Sequence, residues 1–418
     1  MNTARENLKL IIRSVALFLK WVLIAGAVGA AGGLVGSAFH LSVEAATHFR
    51  EQRPWLLYLL PVSGLAIVWL YRVLKMKKVN TNAIIDSIHH GDSVPLALVP
   101  AIYLSTVITH LCGGSSGREG AALQIGGSLG NFAGRLFRLD EKDMRIATLA
   151  GMSAVFSALF GTPLTASVFA MEVISVGVIY YSALIPCLVA ALAAQQISLL
   201  FGTAPTRFAL AAVPVTAPMA AKVMALSVLC AGLSIVLCLF LHGTEHFLAR
   251  TFKNENLRIM AGGAAVVLLS VVLGTRDYNG AGMELIRRAI EEGVARPEAF
   301  ALKLLFTALT IGAGFKGGEV VPTFFIGAAF GCVAGPLLGV PAELAAAVGL
   351  IGVFCGAVNS PIASILLSVE LFGAGDMVYF ALACGIAYAL SGYFGLYSSQ
   401  KIMYAKQKAE FINRSANS

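Results

Sequence analysis

Charge is scarce in this chain: Asp, Glu, Lys and Arg make up 12% of its 418 residues, while 58% are hydrophobic. A soluble domain carries about twice that charge, so the scarcity excludes an ordinary soluble core, and the long apolar windows imply an integral membrane protein. Paired cysteines are also lacking. Cys112, Cys187, Cys230, Cys238, Cys332, Cys355 and Cys384 are scattered through apolar segments without metal-ligand spacing, as small packing residues are. The histidines are equally dispersed. His89-His90 and His242 with His246 offer two nitrogens each, too few for a metal site, and no metal or other cofactor is expected.

No cleavable amino-terminal signal is visible. Arg5, Lys9, Arg13 and Lys20 lie along an amphipathic stretch, and no small-residue cleavage site follows a short apolar core. Residues 1–20 are therefore read as a cytoplasmic interfacial helix. The tail beyond Tyr397 is read as too short to hold a nucleotide-binding regulatory domain.

Apolar runs fill the remainder. Spans are expected near Val15 to Leu41, Trp55 to Leu74, Leu96 to Leu111, Tyr181 to Phe201, Val223 to Leu241, Met260 to Leu273 and Val378 to Phe394. Shorter glycine-rich segments, Ala121 to Phe137, Val321 to Leu338 and Leu344 to Val358, suit re-entrant or half-crossing helices. Arg72, Lys75, Lys77 and Lys78 follow the second span, and Lys401, Lys406, Lys408 and Arg414 follow the last, which puts both termini in the cytoplasm. The net charge of +8 lies mostly on these flanks. It marks topology and contact with anionic lipid, not a nucleic-acid partner.

The chain reads as built twice. Gly117-Arg118-Glu119-Gly120-Ala121 aligns with Gly318-Glu319-Val320-Val321-Pro322, and Ile125-Gly126, Gly130 and Ala133-Gly134 then fall on Ile326-Gly327, Gly331 and Ala334-Gly335. Gly151, Val155-Phe156, Pro163 and Glu172 match Gly349, Val353-Phe354, Pro361 and Glu370 with a small change of offset. This is an internal duplication. The expected organisation is an amphipathic helix (1–20), a first membrane repeat (21–203), a linker containing Pro205, Pro214 and Pro218 (204–220), a second repeat (221–400) and a short cytoplasmic tail (401–418).

Glycine clusters ahead of an apolar helix leave N–H groups unpaired at a helix start, where the helix dipole adds partial positive charge. Such a start binds anions. Inside a membrane these amides replace part of an anion's hydration shell without a full fixed charge that would trap it. Glu119 stands among the donors, so its carboxylate can fill the site when ionised and leave when protonated or displaced. It would be gate and proton carrier at once; the plainer alternative is a helix cap.

At these residues the chain resembles the CLC family of chloride channels and anion/proton antiporters, whose filter signatures include GREGP and a later GxFxP. The resemblance spans nearly the whole membrane portion. It implies an all-α polytopic protein, an inverted repeat of tilted and half-crossing helices, and a homodimer with one pathway per subunit. It further implies that Glu119 is the gating glutamate, that backbone at Gly117, Arg118, Gly120, Val320 and Val321 lines the anion path, and that Tyr397 donates its hydroxyl to an inner anion site.

The departures narrow this. Ala121 replaces the proline after Gly120, Glu319 stands where chloride-handling members carry an apolar residue, and Val79-Asn80-Thr81-Asn82 occupies the GSGIP position with Asn80 in place of serine. The combination is similar to the fluoride/proton antiporter branch. Val173 takes the place of the internal proton glutamate, and Glu172, one position away, is turned by about 100° on a helix. Glu172 and its repeat partner Glu370 are thus read as structural, bonded to backbone or near segment ends. Glu319 becomes the candidate second proton carrier.

Asn80 either offers its amide to fluoride or caps a helix. Phe324 either packs or turns its positive ring edge to fluoride, and Phe325 packs. The expected function is fluoride export in exchange for protons across a plasma membrane, the inner membrane of a bacterium, rather than enzyme chemistry. Chloride/proton exchange or a chloride channel is the alternative. Gly114-Ser115-Ser116-Gly117 also fits the GxSG of intramembrane serine proteases, which would need a base beside Ser116. A purely structural scaffold would leave the two acid-bearing glycine turns unexplained.

Overall fold

The computed structural model describes residues 2–76 and 80–417. Lys77, Lys78 and Val79 lie outside the described residues. Helix α1 (Asn2–Gln52) runs unbroken for 51 residues, since no proline occurs before Pro54 and its glycines other than Gly26 are packed. No structural boundary falls at residue 20. Gly29 and Gly33 face Ala190 and Ala194, and Gly32 and Gly36 face Ala154 and Ala158, so closely that an added Cβ at any of them would collide. Small residues at this spacing let helix backbones meet, which is how apolar helices associate without water to drive them together.

A 3-10 turn (Pro54–Leu59) leads into α2 (Leu60–Val73). There follow α3 (Thr81–His90), α4 (Leu98–Leu111), α5 (Glu119–Leu136), α6 (Glu141–Phe160), α7 (Pro163–Glu172) and α8 (Leu184–Leu200). An extended linker then reaches α9 (Ala217–Thr251), α10 (Glu255–Leu273), α11 (Met283–Glu291) and α12 (Ala299–Ala313). The second half closes with α13 (Val320–Leu337), α14 (Ala342–Val358), α15 (Pro361–Phe372) and α16 (Met377–Leu390).

Among the described residues, seven helical segments are long and apolar enough to cross a membrane. Two expected spans, Leu96 to Leu111 and Val378 to Phe394, are instead the 14-residue helices α4 and α16, which fall short of that length, and two of the seven segments differ from the sequence expectation. The α6 segment, Glu141–Phe160, was not among the expected spans, because polar residues fill its first turn, and α13 is long enough to cross where a partial crossing was expected. Both lie mostly inside the protein. The 10-residue α7 and 12-residue α15 are too short to cross the roughly 30 Å apolar layer.

The duplication is visible as packing. Gly126 and Gly130 of α5 lie against the α6 backbone at Gly151 and Ala147, and Gly327 and Gly331 of α13 meet α14 at Gly349 and Ala345 in the same way. At the far ends the repeats exchange caps. The Glu172 carboxylate accepts the Ile362 and Ala363 amides at 3.1 and 2.8 Å, and the Glu370 carboxylate accepts those of Leu164 and Thr165 at 3.0 and 2.9 Å. Each proline-started helix, α7 and α15, thus has its free N–H groups satisfied by an acid from the other half. The structural reading of both glutamates holds.

The all-helical expectation needs one amendment. Strands β1 (Ser175–Val176), β2 (Lys401–Tyr404) and β3 (Phe411–Ser415) form a small sheet in that order, β1 and β2 parallel, β2 and β3 antiparallel. Residues 401–417 are therefore a folded hairpin attached to the first repeat, not a loose tail. Alternation is too short there for the sequence pattern to reveal it.

Candidate functional site

The two glycine turns meet face to face. Gly117 N–H donates to the Gly318 carbonyl at 2.7 Å, and Gly318 N–H to the Gly117 carbonyl at 2.8 Å. Backbones can approach this closely because neither residue has a side chain: a Cβ on Gly117 would strike the Glu119 carboxylate, and one on Gly318 would strike the Gly120 amide. Helix α5 starts at Glu119 and α13 at Val320, so two helix N-termini converge on one spot. The convergence adds donors and positive potential of the same kind.

Glu119 fills it. Its side chain is 0% exposed, and Oε2 accepts the Arg118 amide at 2.9 Å and, across the repeat boundary, the Val321 amide at 3.4 Å. Oε1 has no hydrogen-bond partner among the described residues, with the Arg118 guanidinium at 3.9 Å. A carboxylate with one satisfied and one orphaned oxygen is held less firmly than a full cap would hold it.

Beside this junction lies a cavity of about 440 Å³ whose wall includes Asn80, Thr81, Gln124, Lys316, Glu319 and Tyr397. Glu319 caps α13 through its main chain: its carbonyl accepts the Thr323 amide and hydroxyl, and its side chain stays on the cavity wall. Gln124 donates to the Thr81 hydroxyl at 3.1 Å, which donates to the Gly120 carbonyl at 3.4 Å, while Gln124 Oε1 has no partner. Tyr397 is 3% exposed and its hydroxyl is unpartnered. The cavity thus presents unsatisfied polar atoms at a buried end, next to the carboxylate-filled amide site.

A family model described as voltage gated chloride channel matches residues 63–392. The chain belongs to that family. Within it, the chain is 37% identical over 396 residues to a chloride/fluoride channel protein of Pseudomonas syringae pv. tomato, covering 93% of this chain and 87% of the other. It is similar in structure to a CLC-type fluoride/proton antiporter, with a TM-score of 0.87, 32% identity, and coverage of 91% of this chain and 98% of that one. A more distant relative is the H(+)/Cl(-) exchange transporter ClcA of Vibrio vulnificus, 24% identical over 83% of this chain and 81% of its own. The family consists of ion channels and transporters, and the apolar helices embed this member in a membrane.

Against this family frame the expected site residues divide into three places. Glu119, Gly117, Arg118, Gly120, Val320 and Val321 gather at the bridged turns, whereas Asn80, Glu319 and Tyr397 share the cavity. Asn80 is the cap of α3, its Oδ1 accepting the Ala83 amide at 3.2 Å, and it also lines the cavity. Phe324 packs in an aromatic cluster, 5.0 Å from the Phe354 ring and 6.1 Å from that of Phe160. Phe325 sits under the Lys303 ammonium and beside Tyr278.

Thr81, Gln124 and Lys316 were not singled out from the sequence. Gln124 was detectable, being with Asn131 one of two amides in the apolar segment Ala121 to Phe137. Lys316 was not, because a lysine before a glycine turn reads as a segment flank. Ser116 Oγ is buried without a hydrogen-bond partner, and the nearby His110 ring is bonded to the Gly117 carbonyl at 3.2 Å. A nucleophile with no base in reach gives the protease reading no support.

Proposed function

We propose that this protein exports fluoride in exchange for protons across the plasma membrane of a bacterium, as a homodimer with a complete pathway in each subunit. The observation that carries the reading is the Glu119 carboxylate resting on the Val321 amide of the other repeat. Carboxylate and anion compete for one set of amide donors. Protonation removes the charge that holds Glu119 there, the side chain withdraws, and an anion from the cavity takes the amides. Release of that anion to the far side lets the deprotonated side chain return, so each cycle moves one species against the other.

Fluoride suits the polar cavity wall. A small, strongly hydrated anion gives up water only to hydrogen-bond donors, and Asn80 and the Tyr397 hydroxyl supply them beside the turn amides. Glu319 is acceptor-only when ionised but donates an O–H to fluoride when protonated, which ties anion occupancy to a second proton. Neither Val173, which is buried and apolar, nor Glu172, which is committed to the α15 amides, serves as the internal acid.

Purified protein in liposomes, with a fluoride electrode outside and a pH dye inside, tests this. Fluoride efflux is expected to drive proton uptake, and an equal chloride gradient to drive little. Glu119→Gln and Glu319→Gln should each abolish coupled proton movement; intact coupling in either variant removes that residue from the mechanism. Chloride flux equal to fluoride flux would transfer the reading to chloride/proton exchange.

A further inference from the structure

Tyr397 stands between α16 and β2 on a stretch without regular structure. No bond from the described residues holds its hydroxyl, so the position of the ring is set by the backbone on either side. That backbone is held from several directions. The Leu396 amide donates to the Ala357 carbonyl at 2.8 Å, and Gly395 exchanges two bonds with the Asn417 side chain, at 3.0 and 2.8 Å. Ser399, two residues past Tyr397, is tied to Asn82 and Asp86 of α3 at 3.1 and 2.8 Å.

Gln400 is the hub. It is fully buried, its amide nitrogen donates to the Val173 and Val358 carbonyls at 2.9 Å each, and its Oε1 accepts from Asn359 at 2.8 Å. Val173 follows α7 in the first half and Val358 ends α14 in the second, so one side chain references the Tyr397 loop to both repeats. Asn359, in the left-handed conformation at φ 57°, also donates to the Phe394 carbonyl at 3.0 Å. From the hairpin, the Lys406 ammonium donates to Asn359 Oδ1 at 2.5 Å and to the Ser391 hydroxyl at 2.7 Å, over the Tyr388 ring. It has no carboxylate partner among the described residues. A lysine placed only to keep a tail soluble would point to water; this one points inward onto neutral oxygens.

We infer that the β2–β3 hairpin is a clamp on the ion pathway: Gln400, latched through Asn359 by Lys406, positions the Tyr397 hydroxyl. These are positioning residues, and the inference rests on the reading of Tyr397 as an anion ligand. A ligand group displaced by about 1 Å loses much of its effect, so loss of the latch acts on transport without touching the anion.

The test uses the full chain carrying 3-fluorotyrosine at position 397, read by fluorine NMR in detergent, alongside flux in liposomes. Lys406→Met and Gln400→Leu should shift or broaden the single resonance, and Lys406→Arg should restore it. Fluoride flux should fall about tenfold in Lys406→Met, yet fall no further when Lys406→Met is added to Tyr397→Phe. An unmoved resonance in folded Lys406→Met, or an equal flux loss in both backgrounds, overturns the clamp. Should Gln400→Leu fail to fold, the half-buried Lys406 still carries the experiment. If Tyr397→Phe transports like the unaltered protein, the ligand reading fails, while the resonance still decides the clamp.

Discussion

If Glu119 gates the pathway as proposed, little separates that role from a helix cap. In a soluble helix, an acid at the first position bonds its own end amides and stays. Here one of its two hydrogen bonds comes from Val321, a residue about two hundred positions away, and one oxygen is left over among the described residues. Gln124 has a comparable asymmetry, with its donor used on Thr81 and its acceptor free. Replacing it with leucine removes the donor chain that leads to the Gly120 carbonyl. Gln124→Leu is expected to slow fluoride flux several-fold while leaving the melting temperature almost unchanged, since a near-isosteric apolar side chain fills the same space. Equal losses of flux and stability would mark Gln124 as merely structural.

Among the elements, the exchanged caps at α7 and α15 are the clearest case of one half completing the other. Each glutamate satisfies two amides that lipid cannot, so Glu370→Ala and Glu172→Ala should each lower unfolding free energy by about 1–3 kcal/mol. Denaturant titration in detergent checks this, and proton coupling should persist in both variants. The interlocked glycines make a second comparison. Gly126→Ala and Gly327→Ala place the same methyl against the same kind of carbonyl in the two repeats, at Gly151 and at Gly349. The two substitutions should cost similar stability, by about 1–3 kcal/mol for overpacking a tight contact. A large difference between them would mean that the repeats no longer pack alike.

On the scale of the whole molecule, the pathway belongs to neither repeat. The bridged turns, the carboxylate on a foreign amide and the exchanged caps all join residues from opposite sides of the linker. Residues 1–216 and 217–418 produced as separate chains are therefore expected to transport nothing singly, and co-expression to recover part of the fluoride flux. Flux from either piece alone would contradict a shared pathway. The long α1 has the same consequence for stability, since its glycine stripe pairs with α6 and α8 only inside the first half.

The sequence by itself determined what depends on neighbours along the chain. Scarce charge and long apolar runs made it a membrane protein, and repeated glycine patterns made it a duplication. Gly-Arg-Glu-Gly before an apolar run singled out Glu119 and the glycine turn that meets its counterpart in the fold. Tertiary structure alone decided which donor meets which acceptor: that Val321 serves Glu119, that Glu172 and Glu370 trade helices, and that the final residues fold back as a hairpin against β1. The reason is physical. Local pattern fixes where unpaired N–H groups and buried acids must occur, because that follows from helix ends and composition. Their partners lie hundreds of residues away, and only the packing of the two repeats brings them within hydrogen-bond reach.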